Sequence, residues 1–163
     1  MPDLCHQWGS TPVHNFATSG YCAWQVVNNY EFTAHTVKPK PGTQAWLFCW
    51  LGINDLMIGQ RPEDVHFNLK RLWGASRSEG FKVAAFTITR GGGFTPQNGL
   101  LDKWATLNNL ILSTPSLYDG LCRPDLLFPC PTNPQYFVDG IHPTTLGARY
   151  IAMRITCEML HCW

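Results

Sequence analysis

The chain has 163 residues, the length of one ordinary domain, with 45% hydrophobic and 13% aromatic residues, seven Trp among them. Only 14% are charged and the formal net charge is +1, which excludes a disordered chain and gives no field to attract nucleic acid or an anionic membrane. No apolar run approaches the ~18 residues of a transmembrane helix, and Met1-Pro2-Asp3-Leu4-Cys5-His6 lacks the basic and apolar regions of a signal peptide, so a reducing, cytoplasmic setting is the default expectation.

In chain order, residues 12–17 read as a short strand ending at the turn Thr18-Ser19-Gly20, and residues 21–29 as a helix with Cys22, Val26 and Val27 on one face. After the breaker Pro39-Lys40-Pro41-Gly42, residues 45–51 form an apolar run closed by Gly52, the pattern of a strand buried on both faces. Pro62–Ser78 is the clearest helix: Pro62, Glu63 and Asp64 suit its first turn, and Val65, Leu69, Leu72 and Trp73 form its apolar stripe. Residues 81–89 read as a second buried strand running into Arg90-Gly91-Gly92-Gly93-Phe94. Leu100–Leu112 follows as a helix with Leu101, Trp104, Leu107 and Ile111 on one side. Residues 117–121 suit a last strand, 124–134 a Pro-rich loop, and 144–160 a closing helix with Leu146, Tyr150, Met153 and Cys157 in line. Alternating strands and helices with short connections predict one three-layer α/β domain over residues 1–163, with a parallel sheet. Ligands of such sheets bind beyond the carboxyl ends of the strands.

Seven cysteines (Cys5, Cys22, Cys49, Cys122, Cys130, Cys157, Cys162) form no C-x-x-C pair, and no His stands at zinc-finger spacing. Neither a structural zinc nor another cofactor is expected. Cys122 with Cys130, and Cys157 with Cys162, would pair only in an oxidising setting, and the odd count leaves one over; free thiols are the default.

Three strand ends carry chemistry. Asn15-Phe16-Ala17-Thr18-Ser19-Gly20 turns sharply and presents a backbone N–H of the kind an oxyanion site needs. In Gly52-Ile53-Asn54-Asp55, Gly52 allows close approach of backbone to a ligand and the Asn54 amide can donate to a developing oxyanion; turn capping is the structural alternative. In Asp139-Gly140-Ile141-His142-Pro143, the carboxylate reaches the near imidazole nitrogen, orienting a general base. Phe94, in the glycine loop, is a candidate to touch substrate from a lid, against the plainer reading of a flexible connection.

Asn15-x-x-x-x-Gly20, Gly52-x-Asn54-Asp55 and Asp139-Gly-Ile-His142-Pro-Thr, the last followed by Gly147-Ala148, occur in this order and resemble the second, third and fifth blocks of the SGNH (GDSL-type) hydrolases, a family of esterases, lipases and carbohydrate deacetylases. The resemblance implies a flavodoxin-like fold, with Gly20 and Asn54 as oxyanion donors, His142 as general base and Asp139 as its orienting acid. The family's first block, a strand ending in Gly-Asp-Ser with the nucleophilic Ser, has no counterpart: Trp8-Gly9-Ser10-Thr11 is only an echo of it. Ser10, Ser19 and Cys22 are the candidate replacements. The fold is therefore expected to lack the family's first strand, an interior one. Its loss would be repaired by direct pairing of the flanking strands, by edge pairing in a homodimer, or by a part outside this chain. Three functions compete on these residues. One is an esterase of small esters or acetylated carbohydrate. The others are a non-hydrolytic acid/base enzyme (isomerase, lyase or cyclase) on an apolar carbonyl compound, and a lapsed enzyme or binding module.

Overall fold

The computed structural model describes residues 12–127 and 133–160. Three short strands, β1 (Trp46–Cys49), β2 (Lys82–Phe86) and β3 (Gly120–Cys122), form a parallel sheet in the order β1-β2-β3. Trp46 pairs with Lys82 and Cys49 with Ala85 across the first ladder; Ala84 pairs with Gly120 and Phe86 with Cys122 across the second. The helices are α1 (Ala23–Asn28), α2 (Ile53–Met57), α3 (Pro62–Ser78), α4 (Leu100–Leu112), α5 (Pro124–Leu127) and α6 (Thr145–Leu160). Short 3-10 turns lie at Tyr30–Phe32, Ala34–Val37 and Pro115–Leu117.

Alternation along β2 sends Val83 and Ala85 to one face and Ala84 and Phe86 to the other. The first face carries the main core: Val65, Leu69, Leu72 and Trp73 of α3, with Leu107 and Ile111 of α4, pack on Cys49, Val83 and Ala85. Full burial of side chains this size stabilises the fold by roughly 1.5–3 kcal/mol each. The second face holds a smaller cluster of Ala84, Phe86 and Cys122 with Trp46 of β1 and Ile155 of α6 against it. The result is the three-layer arrangement expected, and α3 and α4 have the bounds their periodicity predicts.

Four expectations are corrected. Residues 12–18 form no strand: they are irregular and exposed, with no sheet neighbour among the described residues to supply hydrogen bonds. β1 is not buried on both faces: Leu47 and Cys49 face the core, whereas Phe48 is 47% and Trp50 36% exposed on the side shared with Phe86. In α6 the described buried positions are Gly147 and Ile151, with Ile155 packed beside them, while Leu146, Tyr150 and Met153 face solvent. That helix is apolar around much of its circumference, so its period could not choose a face. The second strand is shorter than residues 81–89, although Thr87, Ile88 and Thr89 remain buried beyond its end. Of the cysteines, Cys22 and Cys49 are free and buried and Cys122 is buried; Cys5, Cys130, Cys162 and the Cys157 side chain lie outside the described residues.

Polar contacts tie the layers at both ends. Glu79, at the end of α3, accepts from the Tyr30 hydroxyl (2.9 Å) and pairs with His35 Nδ1, holding the 3-10 turns. Beyond β2 and β3, Asp125 takes a bidentate pair from Arg123 (2.8 and 2.7 Å) and the Thr87 hydroxyl. Burial works to raise the Asp125 carboxyl, and these donors hold it below its ordinary value instead. Among the described residues no helix is long and apolar enough to cross a membrane.

Gly52 joins β1 to α2 at φ +123°, and a Cβ there would lie 3.0 Å from Leu107 Cδ2 and 3.3 Å from Val65 Cγ1. Strain and overpacking therefore act together. Gly52→Ala is expected to lower stability by about 1–3 kcal/mol, read from the urea midpoint; an unchanged midpoint would show that the core yields freely there.

Candidate active site

The chemistry-bearing residues lie beyond the carboxyl ends of β1 and β2. After β1, Gly52 caps α2, and the first turn of that helix presents Asn54 and Asp55. Asn54 Nδ2 donates to the Tyr21 carbonyl at 2.9 Å, using one of its two N–H groups; the other has no partner among the described residues. Both Asp55 oxygens accept from the Ala23 N–H, at 2.9 and 3.1 Å. The chain just after Gly20 is thus fastened to the turn after β1, which brings the first two sequence blocks near each other. Gly20 itself is exposed at φ +76°.

The third block is a closed turn. Phe137 and Pro143 form an antiparallel bridge, Val138 N–H donates to the His142 carbonyl (2.8 Å), and Thr144 N–H donates to the Tyr136 carbonyl (2.8 Å). Gly147 permits the clasp, because a Cβ there would run into the Tyr136 carbonyl oxygen. Inside the turn, Asp139 Oδ1 accepts the N–H groups of His142 (2.8 Å) and Ile141 (3.0 Å), and Oδ2 meets His142 Nδ1 at 2.7 Å. The His142 N–H, then its ring, then the Ile141 N–H hold the Asp139 carboxyl far below the usual carboxylate range. A carboxylate at Nδ1 assigns the proton to that nitrogen and leaves Nε2 as the basic position. The pair is open to solvent, with the His142 side chain 72% exposed. Gly92 N–H donates to the Gly140 carbonyl (2.9 Å), anchoring this turn to the loop that continues from β2.

The other candidates fare differently. Phe94 is 1% exposed and belongs to the main core, so it is no lid residue. Its ring fills the space beside Gly91, where a Cβ would lie 2.8 Å away. The close approach that Gly52 permits is to Leu107, Val65 and Ile88 of the core. Cys22, the N-cap of α1, is buried, and desolvation followed by the nearby Asp55 charge pushes its thiol up, the reverse of an activated thiolate. Ser19 is exposed, and among the described residues its hydroxyl has no hydrogen-bond partner, His142 included. Ser10 lies outside the described residues. Among the described residues no cluster of three or more His, Cys, Asp or Glu forms a metal site. A shallow groove on the outer face of α3, lined by Phe67, Lys70, Arg71, Gly74, Arg77 and Leu117, includes none of the candidate residues.

Asp55 is the polar residue whose weight the sequence understates. Next to Asn54 it reads as a turn cap, yet it is fully buried.

A model of the GDSL-like lipase/acylhydrolase family matches residues 1–150. Among solved structures, the chain is similar to a GDSL-like lipase from Bacteroides thetaiotaomicron (17% identity, TM-score 0.75), with 89% of this chain and 74% of that one covered. It is also similar to a carbohydrate esterase family 3 protein from Talaromyces cellulolyticus (21%, TM-score 0.68, 88% and 68% covered). An acetyl xylan esterase from Geobacillus stearothermophilus matches at 15% identity and TM-score 0.58, with 88% and 68% covered. No curated protein matches the sequence significantly.

The depressed Asp139 carboxyl has a consequence for acid. A group lowered on folding contributes stability that is present above its unfolded pKa and is lost as pH falls through the folded one. The Ile141 and His142 amide resonances are therefore expected to stay in their folded positions through the ordinary carboxylate range near pH ~4 and to move only well below it. Movement at an ordinary Asp pKa would show that the turn is not held this way.

Proposed function

Because this chain belongs to the GDSL-like lipase/acylhydrolase family, we propose that it hydrolyses small esters or acetylated carbohydrate, with His142 as general base, Asp139 as its orienting acid, and Asn54 and Gly20 as oxyanion donors. The observation that carries this reading is the Asp139–His142 pair, whose carboxylate has one oxygen saturated by backbone amides and the other on Nδ1. Such a carboxylate cannot turn away, so Nε2 keeps a fixed direction.

His142 Nε2 takes the proton of an attacking hydroxyl as its oxygen bonds to the acyl carbon. The carbonyl oxygen becomes an oxyanion facing the free Asn54 N–H and the Gly20 N–H. Collapse breaks the bond to the leaving oxygen, which receives the proton from His142. The attacking hydroxyl is a serine, Ser10 or Ser19, or water. With a serine, a second round with water releases the acid; with water the acid forms directly, without a covalent intermediate and with slow turnover. Acetylated carbohydrate enters as substrate class because two similar structures are named as a carbohydrate esterase and an acetyl xylan esterase.

A second reading keeps the acid/base pair and drops hydrolysis: proton transfer on an apolar carbonyl compound, as in an isomerase, lyase or cyclase. It is favoured by the lack of any described hydroxyl hydrogen-bonded to the His142 ring.

Incubation with a fluorophosphonate, followed by intact mass, separates the serine and water routes, and p-nitrophenyl acetate reports turnover. His142→Ala is expected to lower kcat by about 10²–10⁴-fold and Asn54→Ala by about 10²–10³-fold. Full activity in His142→Ala would sink the proposal. Absence of both adduct and turnover in the parent protein would move the assignment to the second reading.

A further inference from the structure

The segment that carries Gly20 has little hold of its own. Residues 12–20 are irregular and exposed, and their hydrogen bonds to described residues are local: Ala17 N–H to Asn15 Oδ1, and Tyr21 N–H to the Thr18 carbonyl. Firm attachment begins at α1, and it runs to the stretch after Gly52. Asn54 holds the Tyr21 carbonyl, Asp55 holds the Ala23 N–H with both oxygens, and a third contact passes through Gln60. With its amide nitrogen turned to the carboxylate, Gln60 donates to Asp55 Oδ1 (3.2 Å), and its oxygen accepts from the Trp24 indole Nε1 (3.1 Å).

Asp55 is fully buried, and among the described residues no Lys, Arg or His pairs with it. A buried carboxylate without a cation is an expensive way to cap a turn. What it supplies is polarity: it only accepts, so the chain of bonds from Trp24 through Gln60 to Asp55, and from Ala23 to Asp55, has a single direction. An amide in its place would set a donor against a donor.

We propose that Asp55 is a positioning residue of the oxyanion site: by gripping Ala23 and Gln60 together, it keeps the Gly20–Tyr21 backbone in register with Asn54, so that the Gly20 N–H and the free Asn54 N–H face one acceptor. The proposal rests on the acyl-hydrolase reading for its consequence on rate, but not for its geometry.

The test uses Asp55→Asn and the double variant Asp55→Asn/Gln60→Glu. In the double variant the introduced amide at position 55 accepts from Ala23 through its oxygen. The introduced carboxylate at position 60 accepts from both that amide's nitrogen and Trp24, so no donor is left facing a donor. Three quantities are measured: kcat and KM for p-nitrophenyl acetate, thermal unfolding, and the NMR response of the Gly20 amide and Asn54 side-chain amide to added acetate. Asp55→Asn is expected to lower kcat about 10–100-fold with KM within about threefold, and to abolish the acetate response. The double variant should recover kcat to within about fivefold of the parent, since the two sites couple through one bond network. An acetate response in Asp55→Asn equal to the parent's would overturn the proposal. So would a loss of kcat no larger than the loss of folded protein, or a folded double variant as impaired as the single one. A parent that responds to acetate without hydrolysing esters, and loses the response in Asp55→Asn, refutes the hydrolase reading and leaves the positioning role standing. A parent with no acetate response refutes the positioning role itself.

Discussion

Strand β2 is paired on both sides by parallel neighbours and buried on both faces from Val83 to Phe86. Much else follows from that position. Parallel strands require long crossovers, and right-handed crossovers that step through a sheet in one direction put their helices on one face. The order β1-β2-β3 takes two such steps, so α3 and α4 share a face and pack against each other there. The same step brings the loops after β1 and β2 out at one edge. Asn54 arrives from the first loop, and the second loop offers the Gly92 N–H that anchors the Asp139–His142 turn.

Much of this was legible in the sequence where one signal dominated. α3 and α4 have strong apolar stripes with a clean start and stop, and their bounds follow from them. The Asp139–His142 contact follows from a spacing of three residues on a turn, which leaves the carboxylate little choice. Readings failed where a partner decided the outcome. Residues 12–17 read as a short strand before a turn, but a strand needs a neighbour. The apolar run over β1 cannot announce that Phe48 and Trp50 stay partly wet while Leu47 and Cys49 enter the core. Phe94 sits in a loop that looks free, yet its ring is drawn into the core beside Gly91. The same blindness hid the burial of Asp55 next to Asn54, which keeps an N–H to spare.

The candidate site divides its ionisable groups between two environments. Asp139 and His142 stand in solvent, and their order comes from a tightly bonded turn rather than from burial. Asp55 is the opposite case, a carboxylate whose burial pushes its pKa up, with the Ala23 N–H working against that shift. Exposure of the pair leaves it open to a ligand, as the general-base role proposed for His142 requires. A buried acceptor holds backbone in place. Cys22, raised by its own burial and by the Asp55 charge, belongs with the second environment.

The aromatic row on the far face of β1 bears on how the protein behaves in concentrated solution. Phe48 meets Phe86 edge-on and Trp50 stacks on it, both partly wet, on and just beyond a strand of sequence Trp-Leu-Phe-Cys that bears no charge. A formal charge of +1 supplies almost no long-range repulsion to keep two such faces apart. Wet aromatic surface on a molecule of almost no net charge favours self-association as concentration rises.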